Sequence, residues 1–203
     1  MRRSLLGLLT VVAIAGLLIT AGCERSSVLR VVQINGGRTL QSDVADYGVW
    51  KDPTDPDAEP EFMYAIQPDS VEVELQYVEV GAGLPTWTPY EAVINKATIT
   101  YKSLTDPTIV YAPVVIPLTT SIMADVTGKK TEKFVTTVVP VWWKEQNFGG
   151  DVIEPPDFDV LDVIDATVKF SGWDSVSVRT VEATGKLQIE IGNFYDNEGT
   201  IGR

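Results

Sequence analysis

Histidine is absent from this 203-residue chain, and cysteine occurs once, at Cys23. Without histidine there is no Ser-His-Asp or Cys-His catalysis, and no zinc site built on imidazole. With a single thiol there is no internal disulfide and no thiolate metal site, so the folded part must be held by packing. Basic residues are also scarce. The chain has 16 Lys and Arg against 28 Asp and Glu, a net charge of −12. A surface this acidic repels phosphate backbones and anionic headgroups, which excludes nucleic acid as a partner. Long apolar runs are missing too, save one of 15 residues at positions 5–19. A spanning helix needs about 20 apolar residues to cross about 30 Å of hydrocarbon, so this run is short for one.

The run has the surroundings of an export signal. Met1-Arg2-Arg3 gives a positive start, and Thr20-Ala21-Gly22 places small residues before Cys23. A basic start, a short apolar core and small residues before a cut make a secretory signal. The cysteine at the cut resembles the lipobox of bacterial lipoproteins, with Thr20 standing where that family more often has leucine. The resemblance covers the first 23 residues. It implies that the Cys23 thiol takes a diacylglycerol and becomes the first residue of the mature protein. Glu24 follows in place of the aspartate that marks inner-membrane lipoproteins, which implies the outer membrane in a Gram-negative host. The partner so implied is a membrane, held through lipid on Cys23. Each buried CH₂ contributes about 0.8 kcal/mol, so two or three acyl chains anchor stably where one does not.

Three regions follow: a leader (1–22), a lipidated tether (23–27) and a folded region (28–203) that fits one domain or two small ones. Removing the leader takes Arg2 and Arg3 with it, so the mature net charge falls to −14. The folded region reads as strands. Val71, Val73, Leu75 and Tyr77 alternate with Glu72, Glu74 and Gln76. Ala97, Ile99 and Tyr101 repeat the pattern, as do Ile122, Ala124 and Val126, and Ala166, Val168 and Phe170. Period two with one apolar face predicts half-buried strands. A strand over residues 28–34 ends at Asn35-Gly36-Gly37, with residues 38–44 expected as its hairpin partner. A Val- and Thr-rich stretch over 133–142 predicts another strand, closing on Trp142-Trp143 with one ring in the core and the other at an edge. Val176-Ser177-Val178 and residues 187–191 predict the last two, joined by a turn at Ala183-Thr184-Gly185-Lys186. No segment shows helical recurrence. The expected fold is all-β, an antiparallel β-sandwich of immunoglobulin-like character.

Residues 96–103 (KATITYKS) resemble residues 165–172 (DATVKFSG). Two strands of one sheet pair with the same pattern explain this more simply than a duplicated domain.

Candidate sites are few. Acidic, Pro-rich segments span 51–61 and 151–159, and in the second Asp157 and Asp159 are candidate calcium ligands. Calcium takes six to eight oxygens, which loops at one end of a sandwich can supply jointly. The plainer reading is a solvated, proline-stiffened loop, and no cofactor is expected. Residues 81–90 place Trp87 between Pro85 and Pro89, with Tyr90 directly after, in a loop. Aromatics on a rigid scaffold's loops stack on sugars or anchor a protein partner, or else cap the core. With no nucleophile motif, enzyme activity is not expected. The function expected is binding or scaffolding of an unidentified protein or glycan in the cell envelope. The alternatives are a carbohydrate-binding module and, behind it, a carboxylate-based glycoside hydrolase.

Overall fold

The fold is that of a computed structural model, described over residues 26–50, 54, 61–80, 91–125, 127–149 and 160–194. It is all-β. Among the described residues there are ten strands and one α-helix. Strand β1 (Ser26–Ile34) pairs with β5 (Asp69–Val80), and β5 pairs with β8 (Glu132–Val139) to make a three-stranded sheet. A five-stranded sheet has the order β2 (Leu40–Asp43), β10 (Thr180–Gly192), β9 (Val160–Asp174), β6 (Glu91–Ser103) and β7 (Val114–Met123). Strands β3 (Asp46–Trp50) and β4 (Glu61–Ala65) form a separate hairpin. The helix α1 spans Val141–Phe148.

The alternating segments become the strands that line the core. Val71, Val73, Leu75 and Tyr77 are buried on β5, and Ala97, Ile99 and Tyr101 on β6. Ala166, Val168 and Phe170 are buried on β9, and Leu187, Ile189 and Ile191 on β10. Both sheets supply one hydrophobic cluster. Phe134 of β8 meets Phe170 of β9 edge-on, with centroids 5.9 Å apart. The two similar segments are neighbours in register: Ala97 lies opposite Phe170, and Tyr101 opposite Ala166. Each large ring therefore faces a small residue across the pair, which spaces the layer evenly.

Several expectations are corrected. Residues 38–44 do not return beside β1. The turn Asn35–Gly37 instead carries the chain from one sheet to the other, and β2 runs parallel to β10. That turn holds Asn35, Gly36 and Gly37 at φ of 52°, 61° and 73°, a region that glycine enters without steric cost and asparagine at little. The β2–β10 pair is the parallel exception among the antiparallel pairings of the named strands. Ala183 to Lys186 form no turn but lie mid-strand in β10, opposite Phe170 to Thr167. Gly185 is needed there for another reason. A Cβ on it would come within 2.8 Å of Ile34 Cδ1 and Val31 Cγ1, where β1 crosses β10. Val176-Ser177-Val178 is not a strand but the tip of the β9–β10 hairpin. The Ile122 strand runs back to Val114 and ends at Met123, short of Ala124, while Val126 lies outside the described residues. Trp142 and Trp143 sit on helix α1 rather than at a strand end, although one is fully buried and the other 48% exposed.

Candidate functional site

The strands set up two ends. Strand β6 runs from Glu91 to Ser103, a span of about 40 Å at a strand's rise per residue. Ser26 pairs with Val80, and Glu91 with Met123, so the start of β1 and the β9–β10 hairpin tip belong to the same end. The helix, the 104–113 segment and the start of β9 occupy the other, here the far end.

Two polar clusters are buried at the far end. Lys144 of α1 places Nζ 2.8 Å from Asp69 Oδ2 and donates to the Asp43 carbonyl at 2.5 Å. Ser42 Oγ donates to the same Asp69 oxygen at 2.6 Å. Asp43 Oδ1 accepts the Phe194 N–H at 2.6 Å. These bonds fasten β2, β5, α1 and the chain after β10 to one another. The serine hydroxyl faces the carboxylate, and both Ser42 and Lys144 are buried. The arrangement is an ionic cross-link, not a Ser-Lys nucleophile open to substrate.

The second cluster surrounds Asp162, buried on β9. Its oxygens accept Ser103 Oγ at 2.8 Å and Tyr111 Oη at 2.6 Å. Trp143 stacks obliquely against Tyr101, Tyr111 and Phe148, with centroids 4.4, 5.1 and 5.8 Å away. Tyr101 Oη donates to the Val138 carbonyl at 2.5 Å, joining the two sheets. Burial pushes the Tyr101 and Tyr111 hydroxyls well up, and at Tyr111 the Asp162 carboxylate adds to the shift. Both phenols are thus held protonated as donors, which does not suit them to act as bases.

Other aspartates build turns. Asp125 accepts the N–H groups of Thr127, Lys129 and Lys130 at 2.9, 2.8 and 2.6 Å. Together with the Thr127 hydroxyl, these donors hold its carboxyl well below the usual range. Asp174 accepts the N–H groups of Val176 and Ser177 at 2.9 and 2.6 Å, and the Tyr77 hydroxyl. Burial alone would raise the Asp174 carboxyl, but these donors outweigh it and the group is lowered. Asp106 likewise binds Thr108 within its own turn.

Every residue singled out as a site from the sequence (Cys23, Trp87, Tyr90, Asp157 and Asp159) lies outside the described residues. The calcium expectation goes with the last two. Among the described residues no three Asp, Glu or Cys side chains come together as a metal-binding group. Among them, too, no helix is long and apolar enough to cross a membrane.

The sequence reasoning missed an apolar corner at the far end. Leu104, Ile109, Val110 and Leu161 are exposed, Val110 by 89%. Val110 bridges to Lys102, and Leu104 N–H donates to the Val163 carbonyl at 2.7 Å. The register thus brings Leu104, Val110 and Leu161 to one corner of the five-stranded sheet. The available signal was Leu104, Ile109 and Val110 standing in a segment whose Asp106-Pro107 forbids a strand. Searches against protein-family models and curated proteins find no match to this chain.

Proposed function

We propose that this chain is a lipid-anchored cell-envelope protein whose β-sandwich scaffolds or binds a protein partner. The two sheets form the sandwich, Cys23 carries the lipid, and the far apolar corner carries the contact. The observation that carries this reading is the position of that corner. Leu104, Val110 and Leu161 are exposed at the end opposite Ser26, where an anchored protein presents itself to the envelope. Large exposed apolar residues grouped on an otherwise acidic surface favour a protein contact. The buried polar clusters favour scaffolding over turnover, since their donors and acceptors are already engaged in holding elements together.

The test replaces Val110 with a photo-crosslinking amino acid in the full chain in its own membrane. A discrete adduct is expected, and Leu104→Asp should abolish it, the effect of placing a charge in the centre of an interface. Absence of any adduct at Val110 and at Leu161 sinks the reading. The anchor is tested separately by mass spectrometry, which should find the N-terminal peptide beginning at an acylated Cys23.

A further inference from the structure

The geometry points to a second contact, at the opposite end: the β9–β10 hairpin tip docks on the lipid bilayer that holds Cys23. This rests on the lipid-anchor reading above.

The tip is apolar where a hairpin tip is ordinarily polar. Val178 is 76% exposed, Val176 51% and Trp173, beside them on β9, 40%. Val178 also holds φ at +57°. A β-branched residue there meets its own backbone, and glycine or asparagine would fit without that conflict. An exposed valine kept in a conformation that suits it badly marks a position where the apolar side chain itself is wanted. The tip is rigid besides. Asp174 binds the N–H groups of Val176 and Ser177, Val178 N–H donates to the Asp174 carbonyl at 2.9 Å, and Tyr77 clamps Asp174 from the other sheet. A preformed knuckle loses little entropy on docking.

Chain length selects the occupant. Three peptide units separate Cys23 from Ser26 and span at most about 10 Å. Leu29 lies opposite Tyr77, whose hydroxyl reaches Asp174, so the tip stands level with the first residues of β1. With Cys23 in the bilayer, this end is held against the headgroups and the tip cannot stand far from them. Charge is arranged to permit it. Lys129, Lys130 and Arg179 are exposed at this end, while Asp125 and Asp174 are turned back onto their own turns. Lys130 pairs with Glu132 at 3.2 Å, and Glu91 is half-buried. Tryptophan at headgroup level and valines below it suit the interface of a bilayer.

The test uses the full acylated protein in vesicles of phosphatidylethanolamine and phosphatidylglycerol, with an environment-sensitive fluorophore on Val178→Cys. Its emission should shift to the blue and lose about half its intensity to brominated lipid, as expected for a group buried at the acyl boundary. The same label on Val110→Cys should do neither. Val176→Cys gives an independent position if Val178→Cys does not fold. Acylated protein whose labels at 176 and 178 remain water-like overturns the docking and leaves the anchor standing. Equal quenching at Val110 also overturns it, because the protein then lies on its side. A Cys23 found without lipid overturns the anchor reading, and the docking with it.

Discussion

Aspartate does different work at the two ends of this molecule. At the far end Asp69 and Asp162 reach across the fold: Asp69 meets Ser42, 27 positions away, and Asp162 meets Ser103, 59 positions away. At the end that carries Ser26, Asp125 and Asp174 chiefly bind N–H groups two to five residues along, with the Tyr77 hydroxyl, 97 positions from Asp174, as the long-range addition. Long-range bonds of the first kind hold separate elements in register, and they fail together when one partner is removed. Local bonds of the second kind shape a turn that largely forms by itself. The first arrangement suits a rigid platform under an apolar corner. The second suits a tip whose backbone is fixed while its side chains stay outside.

The largest expected effect tests this contrast directly. Lys144→Ala should destabilise the fold by about 3 kcal/mol or more, because it leaves the Asp69 carboxylate without its counter-charge and the Asp43 carbonyl without its donor. Asp174→Ala should cost about 1–2 kcal/mol, the loss of a few turn bonds and one phenol partner. Urea unfolding of both variants measures the difference. Equal costs would break the contrast. Pairing Lys144→Met with Asp69→Leu should recover much of the single-variant loss, since no uncompensated charge then remains.

The two ends should also fail at opposite extremes of pH. Asp174 and Asp125 are held below the ordinary 3.8, so their contribution is complete above that value. It is lost as pH falls through the folded values, because the unfolded chain then binds protons more readily. Tyr101 and Tyr111 are raised above the ordinary 10.0, so their contribution is complete below that value. It is lost as pH rises past it, when the unfolded chain releases protons that the folded one retains. Exposed Asp106, at the far end, is also lowered, but it closes only its own Thr108 turn, so its protonation leaves the buried Asp162 and Tyr101 contacts in place. As pH falls below 3.8, hydrogen exchange should open the amides of Val176 and Ser177 before those of β6. In alkali, the part of the phenolate absorbance that belongs to Tyr101 and Tyr111 should rise only as the signal of buried Trp143 changes, a step that Tyr101→Phe and Tyr111→Phe each diminish. Simultaneous loss of both ends in acid would dissolve the distinction.

What could be read from the sequence follows the solvation of each strand. Strands β5, β6, β9 and the second half of β10 have one wet face, so Glu72, Thr98, Thr167 and Gln188 alternate visibly with core residues. The helix was hidden because its buried positions are Trp143, Lys144 and Phe148. A lysine stands where the pattern needs an apolar residue, and its partners are far away in the chain. The Lys144–Asp43 bond spans 101 positions, beyond any local signal. Ala183-Thr184-Gly185-Lys186 has turn composition, yet Gly185 is there to admit Ile34 and Val31 from the other sheet. Val176-Ser177-Val178 has strand composition, yet Asp174 removes its first two N–H groups from any ladder. In both places a tertiary contact or a local carboxylate overrode propensity. The far apolar corner was only partly legible: Leu104, Ile109 and Val110 flank Asp106-Pro107, but an exposed leucine and a buried one look alike in sequence until the strands beside them are placed.

The smallest effect is the most discriminating. Val178→Gly should stabilise the fold by about 1 kcal/mol, because glycine accepts a φ of +57° without the clash that valine bears. A higher denaturant midpoint with an unchanged m value would show it. Val110→Gly, at the far end and outside the positive-φ region, should instead lose a few tenths of a kcal/mol as the unfolded chain gains freedom. Opposite signs at two exposed valines would mean that one end tolerates strain to keep an apolar side chain at its tip and the other does not. The same Val178→Gly protein, acylated and in vesicles, should then show weaker protection of the tip by lipid than the native chain does. If Val178→Gly is destabilising, the valine is packed rather than presented. The tip is then ordinary hairpin structure, and the distinction between the two ends reduces to the reach of their aspartates.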